Sequence, residues 1–97
     1  MKKNNLISIG DAISKILKDE KLDVKLSRYS VKKNWEDIVG KMVKNHTTAI
    51  QFDDYGVMYI SIDSPVLRTE IIYRMESLRN KINSYCGYEL VKKLIIK

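Results

Sequence analysis

The stretch TTAIQFDDYGVMYISID, residues 47–63, alternates apolar and polar side chains, and this two-residue period constrains the fold more than any other part of the chain. Turn-forming residues, Asp53 to Gly56, divide the stretch into two arms. The pattern predicts a β-hairpin with one apolar face, which other elements must cover. That face is formed by every second residue of the arms: Thr48, Ile50, Phe52, Met58, Ile60 and Ile62.

Before the hairpin the apolar residues follow a helical period. They predict a first helix over residues 9–20 and a second over about 22–45. The apolar stripe of the second helix changes phase, so we expect a break near Tyr29–Val31. Gly40 interrupts the same helix at a cost of about 0.5–1 kcal/mol relative to alanine, which indicates a close packing contact.

A third helix is predicted after the hairpin. Ser64 is a suitable N-cap, Pro65 suits the first helical position, and Gly87 is a suitable C-terminal glycine. The tail ELVKKLIIK, residues 89–97, is rich in β-favouring side chains and predicts a third strand. The apolar face of the helix contains Leu67, Ile71, Met75, Leu78, Ile82 and Tyr85.

These elements give the order α-α-β-β-α-β and an α+β fold in which helices cover one face of a three-stranded sheet. With 97 residues, we expect one domain over residues 1–97, with residues 1–7 flexible. The longest apolar run is only a few residues, so neither a membrane-spanning helix nor a signal peptide is expected, and the single cysteine agrees with a reducing compartment. We therefore expect a cytoplasmic protein without a membrane partner.

Catalytic and cofactor motifs are not evident. Cys86 and His46 are the only cysteine and histidine, and each is explained by its position near a helix end. The four glycines are far apart, so no phosphate-binding loop is present, and the Cys/His spacing predicts no metal site. We expect a non-enzymatic binding module with no cofactor, no metal and no small-molecule substrate.

The net charge of +6 is concentrated near the N-terminus, where residues 1–33 hold nine Lys or Arg against four acids. A positive field favours polyanionic partners, nucleic acid first, although a solvated helix face would show the same composition. DNA contacts of this kind are electrostatic and independent of sequence. The candidate nucleic-acid-binding residues are Lys15, Lys18, Lys25, Arg28, Lys32, Lys33, Arg74, Arg79 and Lys81.

A series of motifs runs from Trp35 to the end of the chain. It consists of Trp35, IVG at 38–40, MVKNHTT at 42–48, VMYISID at 57–63, SPVLRTEI at 64–71 and LIIK at 94–97. In order and spacing, this series resembles the DciA family, bacterial proteins long catalogued as a domain of unknown function and associated with the replicative helicase. The SPVLRTEI segment is similar to the short versions from the Bacteroidetes group.

The resemblance implies a K-homology-like fold, a role in loading or operating the hexameric DnaB-type replicative helicase, and contact with DNA. One feature departs from K-homology domains that grip single strands, because no two glycines here have the GxxG spacing. Two alternatives stay open: a general electrostatic binder of DNA or structured RNA without a helicase partner, and a small homo-oligomer.

The predicted partner surface combines the first helix with the start of the second. Trp35 is interpreted as a core residue or, alternatively, as a partly exposed anchor, since tryptophan is frequent among interface hot spots. If this surface is wrong, the outer face of the hairpin around Tyr55 and Tyr59 is the next candidate. The candidate partner-binding residues are Leu17, Lys18, Lys21, Leu22 and Trp35.

Overall fold

The structure, a computed structural model, describes residues 20–97, with side chains from Leu22 onward. Its sheet has three strands in the order β1-β2-β3: β1 (Thr47–Phe52), β2 (Val57–Ile62) and β3 (Lys93–Ile96). β1 and β2 form the predicted antiparallel hairpin, and β3 pairs with β2 in parallel. The hairpin and the third strand are thus confirmed.

Five helices lie within the described residues. Three precede the hairpin: α1 (Glu20–Lys33), α2 (Trp35–Val39) and α3 (Lys41–His46). Two connect β2 to β3: α4 (Pro65–Tyr73) and α5 (Met75–Cys86). The predicted α+β class and element order are confirmed, whereas residues 1–7 and the predicted helix over 9–20, apart from Glu20, lie outside the described residues.

The core lies between the helices and one face of the sheet, in a two-layer arrangement. Met58, Ile60 and Ile62 of β2 point into it, and the alternate residues of the same strand are only half-buried. The helices contribute a buried stripe that runs from α1 through α2 and is joined by residues of α4 and α5. Its most buried members are Val31, Trp35, Ile38, Leu67, Ile71 and Ile82.

The predicted break at Tyr29–Val31 is wrong. α1 continues through these residues and the chain instead interrupts its helices at Asn34 and Gly40. The buried side of α1 contains Val24 and Val31, seven residues apart, so the stripe leading to Trp35 keeps its phase. The apparent change of phase in the apolar stripe came from Leu26 and Tyr29, which are exposed.

The predicted close packing at Gly40 is also wrong. A Cβ placed on Gly40 would have no atom within 4 Å. Its φ of 90° and ψ of 165° explain the glycine instead, because residues with a side chain essentially never adopt this conformation. Gly40 therefore provides the turn between α2 and α3.

The C-terminal helical region agrees with the prediction at its ends and differs in its middle. Ser64 caps α4 by accepting a hydrogen bond from the Leu67 N–H, and Gly87 ends α5 in the left-handed conformation. The predicted single helix is divided at Arg74, however, and Tyr85 on its apolar face is 43% exposed. Thr48, expected on the inner face of the hairpin, is exposed because the β1–β2 register shifts between Thr47 and Ala49.

Candidate functional site

The exposed side of α1 carries three lysines and a tyrosine. Tyr29 lies four residues after Lys25, and Lys32 and Lys33 lie three and four residues after Tyr29, which places them around the tyrosine on one side of the helix. All four side chains are exposed, Tyr29 to 62%. None of the three lysines forms an ion pair with an acidic side chain that the structure describes. We call these four residues the basic face.

Aromatic rings accompany these cations. The Lys33 Nζ lies 6.0 Å from the centroid of the Tyr29 ring, and the Lys32 Nζ lies 5.8 Å from that of Phe52. Each distance is at the outer limit of a cation–π contact, so the lysines keep most of their freedom to reach a solvent-borne anion. A basic face with an exposed tyrosine suits a phosphate backbone and an unpaired base that stacks on the ring.

Next to the basic face lies a shallow groove of about 270 Å³, which we call the basic groove. One wall is Lys32 at the end of α1, the other is Lys44 on α3, and the outer edge of β1 forms the floor. That edge has no strand partner among the described residues. Lys44 is 3.9 Å from Glu36, and both side chains are about half exposed, so this weak pair leaves Lys44 available. The lining residues are Lys32, Trp35, Lys44, Thr47, Thr48, Ala49 and Ile50.

Trp35 supports the groove from below. The Trp35 Nε1–H donates to Thr47 Oγ1 over 3.0 Å, and the Thr47 hydroxyl donates to the Val43 carbonyl over 2.6 Å. The side chain is 3% exposed and the ring contacts the core, so the core interpretation of Trp35 is confirmed. Its ring offers a partner almost no surface, and Trp35 is therefore unsuited to be a partly exposed anchor.

The Arg28 side chain is held by contacts within the fold. Its Nη2 donates to the Asp53 carbonyl over 2.6 Å, and its guanidinium carbon lies 5.4 Å from the Phe52 ring centroid. The Nε atom is buried with no hydrogen-bond partner. Arg28 thus fastens α1 to the hairpin turn and is a poor candidate for a phosphate contact.

The hairpin turn beside Arg28 is built on Asp53. Its Oδ1 accepts hydrogen bonds from the Tyr55 and Val57 N–H groups, at 2.8 and 3.0 Å, and its Oδ2 accepts one from the Tyr59 hydroxyl at 3.2 Å. The pKa of Asp53 is lowered, chiefly by the Val57 hydrogen bond, with smaller contributions from Tyr55, Tyr59 and Arg28. The pKa of Tyr59 is raised by burial and by the same carboxylate. These contacts tie Tyr59 into the turn and leave Tyr55, 82% exposed, as the free ring of the hairpin.

The three predicted nucleic-acid contacts beyond the hairpin separate from the basic face. Arg79 pairs with Glu76 and, at 3.5 Å, with Glu89. This pairing raises the pKa of Arg79, lowers that of Glu76 and takes up the positive charge. Arg74 and Lys81 are exposed but line a second groove, between α3 and the α4–α5 pair.

The predicted partner residues are only partly within the described chain. Leu17 and Lys18 lie outside it, as does Lys15 of the predicted nucleic-acid contacts, and the Lys21 backbone is in α1 with its side chain outside the described set. Leu22 is half-buried.

Among the predicted nucleic-acid contacts, the structure places Lys25, Lys32 and Lys33 on one helix and adds two residues that the sequence analysis did not select, Tyr29 and Lys44. A helical wheel of α1 would have identified Tyr29 as a member of the basic face. Lys44 could be identified only from the fold, because the turn at Gly40 places α3 beside β1.

The cysteine and histidine are also placed apart from a catalytic arrangement. Cys86 is half-buried near the end of α5, and burial raises the pKa of its thiol, which disfavours the reactive thiolate. His46 ends α3, and its Nδ1 lies 2.8 Å from the Asp63 Oδ1. Among the described residues, no three His, Cys, Asp or Glu side chains converge as metal ligands would.

The fold and these surfaces define the class of the protein: a small basic α+β domain with two surface grooves. No helix in the described part of the chain is long and apolar enough to cross a membrane. The family model described as "Dna[CI] antecedent, DciA" matches residues 8–96. The chain belongs to the DciA family, which is linked to DNA replication.

Comparisons with curated proteins and with solved structures found no match. The α+β architecture is therefore assigned from the structure alone, and the likeness to K-homology domains stays a prediction.

Proposed function

We propose that this chain is a non-enzymatic adaptor that binds the bacterial replicative DNA helicase, of the DnaB type, and assists its loading or activity on DNA. The observation that carries the proposal is the family match over residues 8–96, nearly the whole chain. A domain this small with two surface grooves suits an adaptor, which needs only surfaces that bind two partners at once.

The DNA-binding part of the proposal rests on the basic face and the basic groove. Lys32 and Lys44 line the basic groove at the edge of β1, and Lys25 and Lys33 are exposed on the same helix as Lys32, so a phosphate backbone can run along the helix into the groove. Phosphate contacts position a protein without reading the sequence. The absence of a GxxG loop favours this electrostatic mode over recognition of particular bases.

A nuclease-treated pull-down from the protein's own cell extract tests the adaptor function. Tagged chain should retain the replicative helicase after DNA and RNA have been digested, because the contact is between proteins. A general nucleic-acid binder, the alternative function, would lose the helicase on digestion, because nucleic acid alone would have linked the two. Loss of the helicase from digested extract would therefore contradict the proposal.

A further inference from the structure

The second groove lies on the other side of α3 from the basic groove and has a different chemistry. It encloses about 310 Å³ between the α2–α3 segment and the α4–α5 segment. We call it the apolar groove. Its apolar lining consists of Val39, Met42, Val43, Leu67, Ile71 and Leu78.

Apolar side chains around this groove are exposed to an unusual degree. Met42 is 68% exposed at the groove wall. On α4, Val66 and Tyr73 are 79% and 85% exposed. They flank Glu70, a lining residue, at spacings of four and three residues, so they extend the apolar surface outward from the groove. Several exposed apolar side chains near one groove are typical of interaction sites, and methionine adapts well to a partner's shape.

Two cations stand at the rim. Arg74, Leu78 and Lys81 follow one helical stripe, which places the cations seven residues, or about 10 Å, apart along the α5 axis. Neither forms an ion pair with another side chain in the described part of the chain. The single acid of the lining, Glu70, leaves the rim with a net positive charge. The groove is therefore complementary to an apolar segment that also carries acidic residues.

We propose that the apolar groove binds an amphipathic helix of the helicase, with an apolar stripe against Met42 and Leu78 and acidic residues two turns apart facing Arg74 and Lys81. This inference rests on the proposed function for the identity of the partner. A groove walled by helices and lined by apolar side chains binds helices through anchors at spacings of three, four and seven residues. The apolar lining makes this groove a poor site for phosphates, which the basic groove on the other side of α3 suits.

The test compares the affinity of purified helicase for matched variants. Met42→Glu should weaken binding by about tenfold or more, and Met42→Leu should stay within about twofold of wild type. Arg74→Glu with Lys81→Glu should also weaken binding by about tenfold. Lys93→Glu with Lys97→Glu, which makes the same change in net charge at exposed lysines on and just beyond β3, should leave helicase affinity within about twofold. All the changed side chains are exposed, so thermal unfolding of every variant should stay near wild type.

Methyl NMR of the methionines locates the contact independently. On adding helicase to chain labelled with ¹³C at the methionine methyls, the Met42 signal should shift, and the signal of fully buried Met58 should remain. If the helicase binds but the Met42 signal does not shift and Met42→Glu keeps the wild-type affinity, the groove assignment is overturned and the proposed function is retained. No binding by wild type would contradict both. A Met42 shift that depends on chain concentration without helicase would identify a second copy as the occupant and overturn the inference.

Discussion

Trp35 connects the fold to the candidate site at the scale of a single residue. Its ring is part of the core, and its indole N–H holds Thr47 at the start of the strand that floors the basic groove. Trp35→Ala should lower the free energy of unfolding by about 3–5 kcal/mol, measured by urea denaturation, because it leaves a large cavity. Tyr29→Ala, at an exposed aromatic, should change it by less than about 0.5 kcal/mol. Equal losses in both variants would show that Trp35 is not core.

The Asp53 carboxylate makes the hairpin turn sensitive to acid. Its pKa in the folded chain is below its usual 3.8, so its contribution to stability is present above that pH. The contribution is lost as the pH falls through the lowered pKa. Asp53→Asn should therefore melt at a lower temperature than wild type at neutral pH, and the difference should shrink as the pH falls below about 4. Melting curves across this range test it, and a difference independent of pH would contradict it.

Single-residue roles could be predicted from sequence only where the cause is local. The Ser64 cap depends on residues three positions apart, and the sequence identified it. Arg28 reaches the Asp53 carbonyl, 25 residues away, and Arg79 reaches Glu89. Nothing in the neighbouring sequence distinguishes Arg28 from a solvent-facing lysine such as Lys25, whereas Glu76, three residues before Arg79, is a local indication of that ion pair.

At the scale of elements, the turn at Gly40 determines where α3 lies. Its conformation excludes other residues, whereas Gly87 is left-handed, a conformation that asparagine tolerates. Both glycines are exposed, and a Cβ added to either would have no atom within 4 Å, so the same substitution isolates the backbone effect. Gly40→Asn should cost about 1–3 kcal/mol and Gly87→Asn less than about 1 kcal/mol in chemical denaturation. The reverse order would contradict the turn described here.

The basic face of α1, together with Lys44 of the basic groove, gives a prediction about DNA. Four phosphate contacts, from Lys25, Lys32, Lys33 and Lys44, predict a slope of about −3.6 for log affinity against log salt on duplex DNA, at about −0.9 each. Lys32→Glu with Lys33→Glu should weaken all sequences alike and reduce the slope to about −1.8. Fluorescence anisotropy of labelled duplexes measures both quantities.

The control for this prediction uses lysines at the opposite edge of the sheet. Lys93 and Lys97 are exposed on and just beyond β3, so Lys93→Glu with Lys97→Glu makes the same change in net charge away from the basic face. That variant should keep the wild-type slope. If both double variants change the slope equally, binding follows overall charge and the basic face has no special role.

The elements themselves were largely predictable from sequence, and their interruptions were not. The alternation of residues 47–63 predicted the hairpin, and Ser64, Pro65 and Gly87 predicted the ends of the C-terminal helical region. The breaks at Asn34 and Arg74 carry no proline or glycine. They arise where short helices change direction to keep Trp35, Ile71 and their neighbours against the sheet, which is a tertiary effect.

At the scale of the whole molecule, α3 separates two surfaces with different chemistry. Lys44 lines the basic groove on one side, and Met42 and Val43 line the apolar groove on the other. The sequence predicted the basic residues and the resemblance to the family, but it merged Arg74 and Lys81 with the DNA contacts. Only the fold, which sets α4 and α5 across the apolar groove from α3, shows that these two cations line that groove.

The central claim, that this DciA-family chain is a helicase adaptor, is tested most directly by sedimentation velocity with purified proteins free of nucleic acid. The fluorescently labelled chain of 11.3 kDa is mixed with increasing amounts of the replicative helicase from the same organism. The account predicts that the label moves from the slow boundary of the free chain to the fast boundary of the helicase, and that the transfer saturates. A label that stays in the slow boundary at every helicase concentration would contradict it.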